Sequence, residues 1–324
     1  MQTCPLTLLL LLVAYAAPPL SGDVTIRTRN GIRFGALIPG PVAERTRNGT
    51  ESDLPDSTVS YRKGRLEYLQ SGKFACLMDF AKQEITIIDV GNKRFARVAM
   101  KDYAGRLAAV MPAVRPEFRT AQESAKTTLS SRKTGRTDVM QGVEVQETEY
   151  SVTLDLPVPL AAGQTQTGPL LRVTMEVWMA KPAEVSHVAA VREVTAGASS
   201  IPGFSHWIDP ANILATIFGA MPGLGDAMGR MFQEIEKSKS VVFKSHLEAS
   251  MPGMASFLQQ MQKEQGGAVP NGLDLNAPFS VVDGEVVELS TAPVDDAVFQ
   301  LPADYHAAPF EDVVKSVAPD FPRS

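Results

Sequence analysis

The segment Leu171–Met179 reads Leu-Arg-Val-Thr-Met-Glu-Val-Trp-Met, and it decides the fold class. Every second residue is apolar, and the residues between them are polar except for Trp178. Strict alternation is typical of a β-strand, because successive side chains of a strand point to opposite faces of the sheet. The segment therefore predicts a half-buried strand with one apolar and one amphipathic face.

Other segments alternate in the same way. Glu84–Val90 and Lys93–Met100 flank Gly91-Asn92, and this arrangement predicts a hairpin, because such a pair tolerates the positive φ angles of a two-residue turn. Further strands are predicted at Val24–Phe34, Val59–Leu69, Val241–Leu247 and Val281–Leu289.

Val143–Leu156 is a long extended segment with one irregularity. Its apolar residues change parity between Val145 and Tyr150. A β-bulge inserts one extra residue into a strand and would restore the alternation beyond it. We therefore predict a bulge near Glu147.

Helices are predicted mostly between these strands. Asp209-Pro210 combines a capping residue with a proline at the first helical position, and it starts a helix that Pro222 ends. Apolar residues at helical spacing predict a second helix from Leu224 to Ile235 and a third from Met251 to Met261. A short earlier helix is predicted around Tyr103–Met111.

The order of these elements is strands, one short helix, strands, helices and strands again. Parallel sheets need strands that alternate regularly with helices, so this order favours an antiparallel sheet. We expect an α+β fold in which helices pack over one face of a curved antiparallel β-sheet. Residues 17–324 are expected to form a single domain with a helical insertion at about residues 208–265.

Residues 5–17 form an apolar run that is too short to cross a bilayer as a helix. The run ends with Ala14-Tyr15-Ala16, which matches the small-residue pattern of a signal-peptidase site. We predict a signal peptide at residues 1–16, and a periplasmic or secreted mature protein with no integral membrane span. The mature chain would keep one cysteine, Cys76, which lies on the apolar face of a predicted strand and is expected to be buried.

The composition and motifs argue against several functions. The chain carries 31 Lys and Arg residues and 36 Asp and Glu residues, without the basic runs typical of nucleic-acid-binding proteins. Its four histidines are dispersed, and it has no nucleophile elbow, phosphate-binding loop or EF-hand loop. Gly223–Gly229 resembles a dinucleotide-binding fingerprint, but its third glycine is displaced and no strand precedes it. We predict no catalytic residue, no metal site, no cofactor and no nucleic-acid partner.

Methionine is concentrated in the predicted helical insertion, which holds six of the 13 in the chain. Methionine side chains are flexible and polarisable, so a surface rich in them can accept apolar partners of variable shape. The same pattern also fits helices that pack permanently on the sheet. If the helices form a lid, the predicted ligand-binding residues are Met221, Met228, Met231, Met254, Phe257, Met261, Met175 and Trp178.

Three patterns in the sequence resemble bacterial envelope proteins related to the LolA-like lipoprotein carriers. They are the strand after the glycine-bounded segment Gly135–Gly142, the strand that ends with Glu176-Val-Trp178, and the segment Phe299–Tyr305 with its central Pro302. The resemblance covers roughly residues 73–305. It implies an antiparallel half-barrel that helices close over an apolar, acyl-chain-binding cavity, with no catalytic residues.

Two functions follow as hypotheses. The first is an exported, non-enzymatic protein that binds a lipid, lipoprotein or other apolar ligand between a curved sheet and methionine-rich helices. The second is a structural or protein-interaction module of the bacterial envelope with a filled core. An apolar cavity would favour the first, and ordinary packing density throughout would favour the second. An enzyme assembled from distant segments is less favoured, because the motifs for it are absent.

Overall fold

The computed structural model describes residues 22–34, 57–110, 126–155, 169–197, 224–238, 240–252 and 277–317. Within these residues the strands are β1 (Val24–Phe34), β2 (Ser57–Lys63), β3 (Leu66–Ser71), β4 (Phe74–Asp79), β5 (Glu84–Asp89), β6 (Arg94–Ala99), β7 (Lys126–Met140), β8 (Val143–Asp155), β9 (Leu171–Ala180), β10 (Val242–Ser250), β11 (Ser280–Ser290) and β12 (His306–Ala307). The predicted signal peptide, residues 1–16, lies outside the described residues.

The described strands form one open sheet of 12 strands in the order 12-6-5-4-3-2-1-11-10-9-8-7. All neighbours are antiparallel except β6 and β12, which are parallel. The prediction of an antiparallel sheet is confirmed. The sheet consists of two meanders, in which each strand pairs with the next strand in the sequence. The first contains β1–β6 and the second β7–β11, and among the described strands only the pairing of β1 with β11 joins them.

The described helices are α1 (Met100–Val110), α2 (Pro182–His187), α3 (Ala189–Gly197), α4 (Leu224–Lys237) and α5 (Phe310–Val317), together with a 3-10 helix at Asp296–Phe299. None of them is long and apolar enough to span a membrane. The helices predicted at α1 and α4 are present, whereas α2, α3 and α5 were not predicted.

The range 208–265, predicted as a helical insertion, contains the strand β10 between the described helix α4 and its C-terminal part. This strand is the one predicted at Val241–Leu247, and it pairs with β9 and β11, so the range is not helical throughout. The helix predicted at Asp209–Met221 and most of the one predicted at Met251–Met261 lie outside the described residues.

Three apolar clusters hold helices against the sheet. The first, which we call the α4 cluster, lies between α4 and strands β8–β11. The second joins α1 and α5 to β4, β5 and β6. The third packs α2 and α3 against β1 and the adjoining ends of β8–β11. Each helix thus buries its apolar stripe in one of these clusters, as expected for amphipathic helices on a sheet.

No bulge occurs in β8 at Glu147, since β8 pairs with β9 in unbroken register from Val145 to Leu154. The parity of the buried residues changes because the covered side of the strand changes. Val145 belongs to the cluster of α2 and α3, whereas Tyr150 belongs to the α4 cluster. Residues of opposite parity point to opposite sides of a strand, so helices lie on both sides of β8 and β9 rather than on one. The irregularity is in the neighbouring strand β7.

The hairpin of β5 and β6 is confirmed, but its turn is not the predicted two-residue turn. Pairing ends at Asp89 and Arg94, which leaves a four-residue connection, and Lys93 rather than Gly91 has a positive φ, of 53°. The turn is set by the Asp89 carboxylate, which accepts hydrogen bonds from the backbone N–H (3.0 Å) and side-chain amide (2.7 Å) of Asn92. An Asp side chain that binds the backbone ahead of it stabilises a turn of this kind.

Candidate functional site

The strands β7–β11 present two contrasting sides, one apolar and one polar. Helix α4 covers the apolar side with a stripe of residues at helical spacing: Ala227, Met228, Met231, Phe232 and Ile235. Met228 and Met231 are each only 1% exposed, while Gln233 and Glu234 on the outer surface of the helix are exposed. The distribution follows from 3.6 residues per turn, which places these five positions on one face.

Most of the buried side chains on this side of the sheet are apolar: Tyr150, Val152, Leu154, Leu171, Val173, Met175, Val177, Met179, Leu247, Ala249, Phe279 and Val282. Thr148 and Ser280, which pair with Val177 and Ala249, are buried beside them. With Met228 and Met231, the cluster holds four buried methionines, and a fifth, Met251, packs against it. This layer can bury apolar groups but has no ionisable carboxylate, imidazole or amine for acid–base chemistry.

The structure brings together three of the predicted ligand-binding residues, Met175, Met228 and Met231, in the α4 cluster. Trp178 does not join them, since it lies on the opposite side of β9 and packs against the cluster of α2 and α3. Successive residues of a strand alternate in direction, so Met175 and Trp178 cannot line one pocket. The remaining predicted residues, Met221, Met254, Phe257 and Met261, lie outside the described residues.

The opposite side of the same strands is apolar where α2 and α3 cover it and polar beyond them, and we call this polar part the polar side. One row of residues that are paired in register crosses five strands: Arg132, Glu149, Glu176, His246 and Asp283. Arg132 donates to Glu149 over 2.9 Å, and Asp283 forms an ion pair of 3.0 Å with Arg33 of β1. Cross-strand pairs of opposite charge stabilise a sheet. The carboxylates of Glu149 and Glu176, which are paired across β8 and β9, repel each other and destabilise it.

A second row contains Glu147, Trp178, Lys244, Glu285 and Arg29. Beside it, β7 bulges between Lys133 and Thr137, and Gly135 within the bulge has a φ of 82°. A bulge can re-aim a side chain across a sheet.

Arg136 follows that glycine. Its guanidinium group donates to Glu147 and, over 3.4 Å, to Glu176, and it lies 5.8 Å from the centre of the Trp178 ring. Glu147 is 1% exposed, and one of its carboxylate oxygens has no hydrogen-bond partner within the described residues. The bulge therefore supplies the cation that a buried carboxylate requires.

His246 occupies the centre of the polar side. Its Nδ1 atom lies 2.6 Å from Asp283 and its Nε2 atom 3.1 Å from Glu248. Partial burial by itself lowers the pKa of His246, but the hydrogen bonds to Asp283 and Glu248 outweigh this effect and raise the pKa above its ordinary value of 6.5.

Within the described part of the chain, no group of three or more His, Cys, Asp or Glu side chains is arranged to hold a metal ion. Cys76 is fully buried in the cluster of α1 and α5, and burial raises the pKa of its thiol well above the ordinary range. A thiol in this state is a poor nucleophile, because the reactive form is the thiolate.

Sequence reasoning predicted the apolar side and missed the polar side. The charged residues occupy alternate positions of β9, β10 and β11 in the sequence. They indicate a site only when the pairing of these strands is known. Their register joins residues far apart in the sequence, such as His246 and Asp283, and a single strand does not reveal which charges face each other.

Comparison of the sequence with models of protein families and with curated proteins finds no match. The resemblance to LolA-like carriers therefore rests on the sequence patterns alone.

Proposed function

We propose that this is an exported, non-enzymatic binding protein that holds a lipid, lipoprotein or other apolar ligand between a half-barrel sheet and α4. The observation that carries the proposal is the α4 cluster itself. An amphipathic helix with two buried methionines covers a wide apolar side of the sheet, which contributes two more. The open antiparallel sheet and the sequence patterns shared with LolA-like carriers also support it.

The methionines explain how such a layer could exchange partners. Met228 and Met231 are closed off from solvent, so an apolar ligand must displace α4 or its side chains to enter. Unbranched thioether side chains adopt many conformations at low cost and can repack around a guest of variable shape. The free energy of binding would come from the apolar surface that the ligand removes from water.

The decisive measurement is binding of an apolar fluorescent probe by the purified wild-type protein, with native mass spectrometry of any lipid that co-purifies. We expect the double variant Met228→Leu/Met231→Leu to keep its melting temperature and lose probe affinity, because leucine preserves apolarity and volume but is less adaptable. Met228→Asp should abolish binding, since it places a carboxylate in the apolar layer. Gln233→Asp, on the exposed surface of the same helix, is the matched control and should bind the probe as the wild type does.

Two results would contradict the proposal. One is a wild-type protein that binds neither probe nor lipid. The other is a double leucine variant that binds the probe with unchanged affinity, because then the methionines have no part in it. Unfolding of Met228→Asp alone would show that α4 is a permanent part of the core, since an unpaired buried charge costs several kcal/mol.

A second candidate function is a structural or protein-interaction module of the bacterial envelope. The polar side favours it, because Arg132, Arg33 and other charged residues of β1 and β7–β11 present an extensive, half-exposed charged surface. A photo-cross-linking residue in place of Thr174, on this surface, should then trap a specific envelope protein, and the same residue in place of Gln233 on α4 should not. Equal cross-linking at both positions would remove the support for this function.

A further inference from the structure

We propose that His246 is a proton-controlled clasp, which ties β10 to β11 when its ring is protonated and weakens that junction when its ring is neutral. The clasp is a property of the sheet and does not depend on the proposed ligand. Two facts support the proposal. The His246 ring lies between two carboxylates, and the number of N–H groups it can donate depends on its protonation state.

Both ring nitrogens of His246 face carboxylate oxygens. Nδ1 lies 2.6 Å from Oδ1 of Asp283 on β11, and Nε2 lies 3.1 Å from Oε1 of Glu248 on β10 itself. A neutral imidazole carries one N–H, so one of its nitrogens would direct a lone pair at a negatively charged oxygen. Only the imidazolium ion can donate to both carboxylates at once, so this geometry favours the protonated ring.

A third carboxylate, Glu176 on β9, lies directly opposite His246 in the register of β9 and β10. The protonated ring thus stands among carboxylates on all three strands. Loss of its proton leaves Asp283, Glu248 and Glu176 without their central cation, and like charges on neighbouring strand positions destabilise a sheet.

Two of these three carboxylates also have an arginine partner on another strand. Arg33 on β1 pairs with the second oxygen of Asp283 over 3.0 Å, and Arg136 on β7 reaches Glu176 over 3.4 Å. Beyond Glu176, Glu149 on β8 pairs with Arg132. Two residues before His246, Lys244 lies opposite Glu285 in register, and Arg29 on β1 holds that glutamate at 2.6 Å. The arginines reduce the repulsion at Asp283 and Glu176, but only the protonated ring can donate from Nδ1 to Asp283 and from Nε2 to Glu248 at once.

The direction of the pH dependence follows from the raised pKa of His246. A histidine whose pKa is higher in the folded than in the unfolded protein stabilises the fold fully below the unfolded value. That contribution is lost as the pH rises from about 6.5 through the higher folded value. The junction should therefore be strongest in mildly acidic solution and weaker in mildly alkaline solution.

The clasp also reaches the apolar side of the sheet through the backbone. Leu247, the next residue, points to the other side of β10 and packs in the α4 cluster opposite Val282 of β11. Loosening of β10 against β11 would disturb the strand that supports this cluster. The protonation state of a half-exposed side chain can thus influence a layer that contains no titratable carboxylate, imidazole or amine of its own.

The first test is an NMR titration of the His246 ring in the purified wild-type protein, with the signal assigned by its loss in His246→Gln. We expect a midpoint above pH 6.5, and a lower midpoint in Asp283→Asn, because the amide removes one charged acceptor. A wild-type midpoint at or below 6.5, or no change in Asp283→Asn, would overturn the clasp. If His246→Gln does not fold, variants of the other histidines assign the signal by elimination.

The second test compares the free energies of unfolding of wild type and His246→Gln in urea, from about pH 5 to about pH 9. The wild type should lose stability relative to His246→Gln as the pH rises, since glutamine keeps a neutral donor and does not titrate. His306→Gln, at an exposed histidine on β12, is the matched control and should run parallel to the wild type. If His246→Gln also runs parallel to the wild type, the ring carries no proton-dependent stability and the proposal is wrong.

Discussion

Replacement of Asp89 by asparagine should destabilise the protein well beyond what the loss of a turn residue costs. The Asp89 side chain is fully buried at the end of β5. It accepts two hydrogen bonds from Asn92, one from Arg94 over 3.1 Å, and one from the hydroxyl of Ser316 on α5. One carboxylate therefore joins the β5–β6 turn to a helix more than 200 residues further along the chain.

The pKa of this carboxylate gives the size of the effect. Burial would raise the pKa of Asp89, but the hydrogen bonds from Ser316, Asn92 and Arg94 outweigh it and lower the pKa from 3.8 to about 2. A shift of one unit corresponds to about 1.4 kcal/mol, so the ionised group stabilises the fold by roughly 2 kcal/mol. Asparagine has no charge, and its amide N–H group would face donors that now bind the Asp89 carboxylate, such as Asn92 and Arg94. We therefore expect Asp89→Asn to lower the free energy of unfolding by about 2 to 3 kcal/mol at neutral pH.

Urea unfolding of the two proteins at several pH values measures this quantity. A carboxyl group with a lowered pKa stabilises the fold above its ordinary pKa, and that contribution is lost as the pH falls from about 3.8 to about 2. The difference between wild type and Asp89→Asn should therefore shrink over that range.

Asp79→Asn is the matched control, because Asp79 also accepts backbone hydrogen bonds at a hairpin turn, from Ala81 and Lys82. An asparagine oxygen can still accept these bonds, so its cost should stay below about 1 kcal/mol. Equal losses in the two variants, or a loss of under about 1 kcal/mol for Asp89→Asn, would refute the reasoning.

Two further predictions concern Cys76 and the turn between β7 and β8. Cys76 should resist a thiol reagent in the native protein and react only after denaturation, because its side chain is 0% exposed and burial raises the pKa of its thiol. Peptide mass spectrometry measures the labelling, and rapid labelling of the native protein would contradict this prediction. In the turn, Gln141 and Gly142 both have positive φ angles, of 51° and 76°. Gln141→Asn should raise the free energy of unfolding by roughly 0.5 kcal/mol, since asparagine tolerates this conformation better, and a lower melting temperature would show the turn to be held in another way.

The alternation of Leu171–Met179 was sufficient to predict β9, because a strand with one side in the core needs an apolar residue at every second position. In β8 the pattern has a different cause. Its change of parity predicts a bulge, yet the strand is covered on one side near Val145 and on the other near Tyr150. One sequence pattern fits both causes, and only the position of the helices distinguishes them.

The helix α5 shows a different reason for failure. Its buried residues, Phe310, Val313, Val314 and Val317, have the spacing of an amphipathic helix, so the signal was present in the sequence. What the sequence could not supply was its partner, since α5 packs on strands β5 and β6 and on α1, more than 200 residues earlier. The candidate site was limited in the same way: the methionines of α4 were predictable, and the cross-strand register that surrounds His246 was not.

The division of the sheet into two meanders imposes an order on folding. Within each meander, a strand can pair with its sequence neighbour soon after it is synthesised, and such local pairing is fast. Two connections must wait for elements that come late in the described sequence. Strand β1 needs β11 to join the halves, and the first meander needs α5 and β12, the last described elements, to cover its core. Closing so long a loop is entropically costly and slow. The first meander therefore stays incomplete until β12 and α5 have been made, and deletion of residues 306–317 would expose its core.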